Sequence, residues 1–336
     1  MISRRKAGGA IVGGALAIVI AIALISLSLG TTKLSFMEVL ATLAGRGEVD
    51  SSMIVLQLRL PRILAAIMVG AALGVAGALL QGVVRNPLAS PDVLGVTGGA
   101  SVCVVAFMTL VKGFSVHWIP FVAAAGALAA AALLYGLGWK KGISPSRLVI
   151  IGIGLSAAAG ALTTFLLISG PSYLATQVLS WTTGSIYGTN WTYIKMLWPW
   201  IVILLPCAML LFRELNVQSL GAPAAIGLGS SLQRSRLLAL LICVALCGAA
   251  VGVAGTLSFI GLMAPHLSRL LVGASYRLVL PMSALTGAAL LLLADLGGRM
   301  LFMPLDIPAG VFTAGVGAPF FIFLLFKTRQ RSISAP

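Results

Sequence analysis

Residues 70–79 read GAALGVAGAL and residues 248–257 read GAAVGVAGTL, two stretches that agree at eight of ten positions. The offset that superimposes them, 178 residues, also sets Pro87 on Pro265. Each copy lies in an apolar run long enough to cross a bilayer, which takes about 20 helical residues. The same glycine-striped helix met twice predicts two related halves. Within the stripes, Gly70, Gly74 and Gly77, and likewise Gly248, Gly252 and Gly255, fall on one helix face. The missing side chains there let a neighbouring backbone come close, so these six are the candidate helix-packing residues.

Working outward from the two copies, apolar segments of spanning length lie near residues 9–29, 61–81, 93–111, 117–138, 147–169, 194–212, 237–257, 280–298 and 308–326. A shorter one near 259–273 carries Pro265, His266 and Arg269. Sixty per cent of the chain is hydrophobic, 9% is charged, and the mean hydropathy is +1.10. A soluble domain of 336 residues would need far more charge on its surface. The expected fold is therefore an all-α polytopic membrane protein, one transmembrane domain over residues 1–336 with about ten helices, and membrane lipid as its main surroundings.

Loop charges test the count. With the N-terminus inside, fifteen Lys and Arg fall at inner helix ends and seven at outer ends, as the positive-inside rule asks. An odd number of spans would put the basic tail after Phe326 outside, so parity favours the short segment as a crossing. Both termini are then expected in the cytoplasm, and the repeated helices, second and seventh, run in opposite directions. Inverted repeats of this kind place a solute path between the halves, and by themselves suit an ion-coupled secondary transporter as well as a permease driven by a separate motor. The net charge of +15 reads as topology, not as a nucleic-acid surface. Arg4, Arg5 and Lys6 followed by an apolar run resemble a secretion signal, but the run is long enough to span and is read as a first helix that is kept.

Enzyme chemistry finds no constellation. His117 and His266 are the two histidines, no span holds paired carboxylates, and no Gly-Lys dipeptide exists to build a phosphate-binding loop. ATP hydrolysis, a metal site and a bound cofactor are not expected of this chain. Cys103, Cys207, Cys243 and Cys247 sit in apolar runs as small packers. Asp295, four residues before Arg299, is explained by an i, i+4 pair, and Asp92, after Ser90 and Pro91, by stabilising a helix N-terminus. The segments 31–58 and 170–193 are too long for simple turns; Trp181, Tyr187 and Trp191 in the second are expected at the membrane interface or at a solute entrance. Residues 82–101 hold Pro87 and Pro91, which break a helix; broken backbone at membrane depth is tolerated where it lines a cavity.

Several of these motifs resemble the FecCD family of permeases: R-L-P-R at 59–62, the glycine helix at 70–77, R-N-P-L-A-S-P-D-V-L-G at 85–95, F-I-G-L-M-A-P-H at 259–266, A-D-L-G-G-R at 294–299 and G-A-P-F-F-I-F-L-L at 317–325. The resemblance implies the type II ABC importer permease fold and import of ferric siderophores, ferric citrate, haem or cobalamin across the bacterial cytoplasmic membrane. W-T-T-G-S-I-Y-G at 181–188 and L-F-M-P at 301–304 favour an iron chelate within that set. Implied partners are a second permease subunit, identical or paralogous, a cytoplasmic ABC ATPase dimer, and a periplasmic or lipid-anchored substrate-binding protein. Arg59, Arg62 and Arg299 match outer positions that meet carboxylates of the binding protein, a role suited to bidentate pairing. Asn86 and Leu88, with Ser144, Pro145 and Ser146, match the cytoplasmic gate loops. Residues 215–229, with Ser219, Leu220, Gly221, Ala225, Gly227 and Gly229, resemble the segment that seats in the ATPase; Ala222 and Pro223 stand where relatives often carry an acid.

Overall fold

A computed structural model describes residues 2–30, 32–111, 113, 115–138, 145–170, 172–303 and 305–333. Regular structure among them is helical: α1 (Ile2–Ser28), α2 (Phe36–Leu43), α3 (Val49–Ser52), α4 (Leu60–Val84), α5 (Val96–Leu110), α6 (Ile119–Gly138), α7 (Pro145–Ser169) and α8 (Ser172–Thr183). The second half adds α9 (Trp191–Leu210), α10 (Phe212–Ser219), α11 (Ala222–Gly227), α12 (Leu232–Ala254), α13 (Ile260–Val272), α14 (Tyr276–Met300) and α15 (Ala309–Ile333). Eight of these runs are long and apolar enough to cross a membrane, and the shorter apolar α5 and α13 stand at the places of the third and eighth expected spans.

The repeated helices form the centre. The most apolar windows of α4 and α12 are 83% and 72% buried, against 17% for α1, α7 and α9, whose bare apolar flanks are left for lipid. Lipid supplies no hydrophobic drive between helices, so this centre must be held by close contact, and the glycines provide it. A Cβ on Gly70 would lie 2.3 Å from the Gly287 carbonyl oxygen, and one on Gly74 would lie 2.1 Å from that of Ser283. One on Gly77 would lie 1.8 Å from the Gly261 oxygen on α13. Rising numbers on α4 meet falling numbers on α14, so the two run antiparallel with backbones touching.

The second stripe uses a different neighbour: Gly248 faces Ala124 and Ala127, and Gly252 faces Pro120, all on α6. In span order the second helix packs on the ninth and the seventh on the fourth. Adding or subtracting five converts one pair into the other, which is the contact pattern of an inverted repeat. Gly82 near the end of α4 abuts Leu215 of α10, and Gln218 of α10 bonds Ser235 in the first turns of α12. The end of α4 and the start of α12 therefore share one face of the bundle, and the two helices are opposed. The likeness stops at the third glycine. Gly77 is inside α4, whereas Gly255 lies beyond the last residue of α12 at φ +68°, where a Cβ would strike the Trp181 carbonyl oxygen.

The segment before the second span is more helical than its mixed polarity predicts. Helix runs unbroken from Val49 to Val84, through α3, a π-helical stretch Met53–Arg59, and α4. Pro61 has no N–H for the Gln57 carbonyl. The ladder steps out just before it, with the Leu60 N–H bonding Val55, and the widened turn passes straight into α4.

Candidate functional site

Three features interrupt the apolar body: a charged bowl at one end, a hydroxyl-lined groove on one side, and a ledge of short helices at the other end.

The bowl forms where α1, the π-helical stretch before α4, and the end of α14 converge around a cavity of about 550 Å³. Arg59, Arg62 and Arg299 all line it, with Gln57, Tyr187, Asn190 and Asp306. Their duties differ. Arg59 is 7% exposed and donates to the backbone carbonyls of Leu27, Ser28 and Thr32. Those carbonyls include the unpaired, electronegative end of α1, so Arg59 closes that helix. Arg299 reaches the same end through Ser26 and the Leu29 carbonyl. Arg62 instead serves two carboxylates. Its Nε donates to Asp295 at 2.8 Å, and its two terminal nitrogens hold Asp306 at 2.6 and 2.8 Å. The Tyr187 ring lies against its far face at 5.5 Å.

Asp295 is 1% exposed and stands between Arg62 at 2.7 Å and Arg299 at 3.1 Å. The expected i, i+4 pair with Arg299 is present, yet the shorter contact is the one to Arg62 across the α4–α14 seam. A carboxylate so deeply buried needs such compensation to stay charged. Asp306, which sequence reasoning passed over, sits in the link between α14 and α15. Its one signal was an acid seven residues beyond Arg299 in a short L-D-I-P turn. Three guanidiniums against two carboxylates leave the bowl with one net positive charge, and around it Leu58, Met303 and Leu305 are exposed.

The groove lies between α5, α7 and α8 and holds about 510 Å³. Thr97 and Ser101 of α5, Ser156, Thr163 and Thr164 of α7, Thr182 of α8, and Thr256 and Ser258 after α12 give it a wall of hydroxyls. Asp92 also lines it, in the one-turn 3-10 helix Pro91–Leu94 that precedes α5. Its carboxylate accepts from the Ser90 hydroxyl at 3.2 Å and from the Phe259 N–H at the head of α13, not from α5 as its position in sequence predicts. Removal from water pushes it up to about 6. On α7 the hydroxyls recur at 156, 163 and 164 with Gly160 between, a helical face that spacing alone reveals.

At the opposite end, Arg85 ends α4 in the left-handed conformation at φ 57°. The Asn86 side-chain oxygen then accepts from the Leu88 N–H at 2.9 Å, and Leu88 packs on Leu262 and Met263 of α13 and Leu324 of α15. Of the other gate candidates, Ser144 lies outside the described residues, while Pro145 opens α7 and Ser146 is exposed in its first turn. The ledge itself is α10 and α11. Ser219 and Leu220 end α10, Gly221 links it to α11, Ala225 is buried, and Gly227 and Gly229 are exposed. Leu220, Ile226 and Leu228 are 62–66% exposed on this non-spanning segment. Two polar bonds tie the ledge to the spans, Gln218 to Ser235 at 2.8 Å and the Tyr276 N–H to Asn216 at 2.9 Å, while Ser230 donates to Glu214 at 2.7 Å within the ledge. Among the described residues no cluster of His, Cys, Asp and Glu is placed to hold a metal ion.

The chain is 48% identical over 316 residues to the Probable siderophore transport system permease protein YfhA of Bacillus subtilis (strain 168), covering 92% of each. It is 44% identical to the Achromobactin transport system permease protein CbrC of Dickeya dadantii (strain 3937), over 94% of this chain and 91% of that one. A solved chain from a metal-chelate type ABC transporter in an inward-facing conformation superposes with a TM-score of 0.85 at 30% identity, covering 95% of this chain and 99% of that chain. The FecCD transport family matches residues 17–327. With its ten apolar helices and inverted halves, the chain belongs to the FecCD transport family of membrane permeases.

Proposed function

We propose that this chain is the permease subunit of an ABC importer that carries an iron chelate, a ferric siderophore or ferric citrate, inward across a bacterial cytoplasmic membrane. The observation that carries the reading is the groove. In a body whose outer helices face lipid, a wall of hydroxyls with a carboxylate on it suits a hydrated polar solute. Its open side calls for a second permease, identical or paralogous, to complete the path. The names of the relatives supply the cargo class, and siderophore permeases stand among the most similar.

The bowl faces outward in this reading and the ledge inward, in line with the excess of basic residues at the ledge end and with both termini in the cytoplasm. A substrate-binding protein docks on Arg59, Arg62 and Arg299, its carboxylates answering the net positive charge of the bowl and its apolar surface meeting Leu58, Met303 and Leu305. A separate ATPase dimer takes the apolar ledge, Ser219–Gly229, in a cleft. Its motion passes through the bonds from α10 to α12 and α14, and the segments at Asn86–Leu88 and Ser144–Ser146 open or close the inner mouth. The chain moves cargo without covalent chemistry of its own.

Reconstitution tests this. Uptake of ferric citrate or a ferric siderophore into proteoliposomes should require the ATPase and ATP. Ser156→Leu and Thr164→Leu should cut uptake strongly while leaving ATPase co-purification unchanged. Uptake driven by an ion gradient with no ATPase present would defeat the proposal.

A further inference from the structure

We infer that Asp306 occupies, in the undocked chain, the place of a partner carboxylate on Arg62, and that a docking protein exchanges with it. The inference rests on the docking reading above and concerns how that site is kept before the partner arrives.

Arg62 has its donors engaged on two unequal sides. Asp295 is 1% exposed, carried on the rigid end of α14, and answered by Arg299 as well. Asp306 is 26% exposed, lies on non-helical chain, and has Arg62 as its ion-pair partner. Both terminal nitrogens of the guanidinium are turned to Asp306, the two-pronged geometry that best fits a carboxylate. A protein approaching through the cavity therefore finds this face of Arg62 already filled. Simple addition of another carboxylate would crowd Asp295, Asp306 and the newcomer around one guanidinium, and like charges at such range repel. Exchange avoids this: the incoming carboxylate takes the bidentate seat, and Asp306 turns toward water, where it is already a quarter exposed. Among its described residues, the link that carries it is lightly tied. The Leu305 N–H bonds the Phe302 carbonyl within the link, and the Ile307 N–H bonds that of Gly298 at 3.3 Å. Asp306 thus keeps Arg62 oriented and neutralised while the bowl is empty.

The sign of the mutational effect separates exchange from a simple structural role. In nanodiscs holding the full transporter, Asp306→Asn removes the internal competitor and should tighten the cognate binding protein by about fivefold, the scale of a partly exposed ion pair. Asp306→Glu, which keeps the charge, should stay close to wild type. Weaker or unchanged binding by Asp306→Asn would overturn the exchange. Arg62→Gln tests the ground beneath it: unchanged affinity in that variant refutes docking at the bowl itself, whatever Asp306 does.

Discussion

Removing the Asp295 carboxylate measures what holds α4 to α14 at the bowl. That group is 1% exposed and faces Arg62 at 2.7 Å and Arg299 at 3.1 Å. Without it, two guanidiniums that are themselves 12% and 10% exposed keep only Asp306, 26% exposed, to answer them. Truncating one member of a buried ion pair costs about 3–5 kcal/mol, because the partner stays buried and uncompensated. An exposed pair is worth ~0–1 kcal/mol. The contrast in exposure puts Asp295→Ala in the first class, near about 3 kcal/mol because Asp306 relieves part of the loss. Asp306→Ala belongs at the upper edge of the second, about 1 kcal/mol. Denaturant or thermal unfolding of the purified chain in one detergent gives both values. Adding Arg62→Ala and the double variant closes a cycle whose coupling should be about 2 kcal/mol, within the range for directly contacting groups. Equal losses for Asp295→Ala and Asp306→Ala, or a cycle with no coupling, would refute the reasoning, since both results describe a carboxylate in water.

Two further outcomes follow from the geometry. Gly77→Ala puts a Cβ at 1.8 Å from the Gly261 oxygen, where a relaxed carbon–oxygen contact needs about 3.3 Å, so α4 and α13 must part. The protein should lose its monodisperse form on size-exclusion chromatography, while Gly154→Ala on α7, with nothing within 4 Å, should elute as wild type. For Asp92, removal from water raises the carboxyl from 3.8 to about 6, so the folded state holds the proton more tightly than the unfolded one. Its stabilising contribution is complete below about pH 4, is lost as pH rises through about 6, and changes no further above that. Asp92→Asn should flatten the pH dependence of the unfolding midpoint across that window; a slope equal to wild type would contradict the burial argument.

The fold was legible because lipid imposes simple rules. Spans had to be long and apolar, and their loop charges had to alternate, so ten segments and their parity could be read off the chain. The glycine stripes announced close contact but not its partner. Nothing in residues 70–79 points to Gly287 or Ser283, because a backbone oxygen leaves no mark on sequence. Site residues divided the same way. Arg59, Arg62 and Arg299 stood out as cations on the less basic side. That two of them clasp the end of α1 while the third bridges two acids depends on where α1 stops against the bundle. Asp92 was read locally, as serving the helix that follows it, and the structure gives its carboxylate to α13 instead. A contact across 167 residues is beyond any local rule. The helical run from Val49 was hidden by the mixed polarity of residues 31–58, and the π-helical turn before Pro61 lets the helix run on into α4.

The glycine contacts also bear on how the two ends communicate. Helix α14 carries Asp295 and Arg299 at the bowl, and at its other end the Tyr276 N–H is bonded to Asn216 of the ledge. Helix α4 runs beside it from Arg62 to Gly82, where a Cβ would touch Leu215 and Tyr276. Between those ends the helices meet backbone to backbone at Gly70, Gly74 and Gly287, with no long side chain to change rotamer and absorb a displacement. The contact from α10 thus reaches α14 at Tyr276, and from there toward Asp295 the α4–α14 seam is backbone on backbone, with Pro281 the one residue of α14 in that stretch that interrupts the helical ladder. Helix α7 is built with two unlike faces. A Cβ on Gly154 or Gly160 would meet nothing within 4 Å, and its hydroxyl face is open. Toward α5 it is packed closely, for a Cβ on Gly98 would lie 2.9 Å from Ala159 and one on Gly95 would lie 3.2 Å from Leu155, so the groove has one firm wall and one side left open.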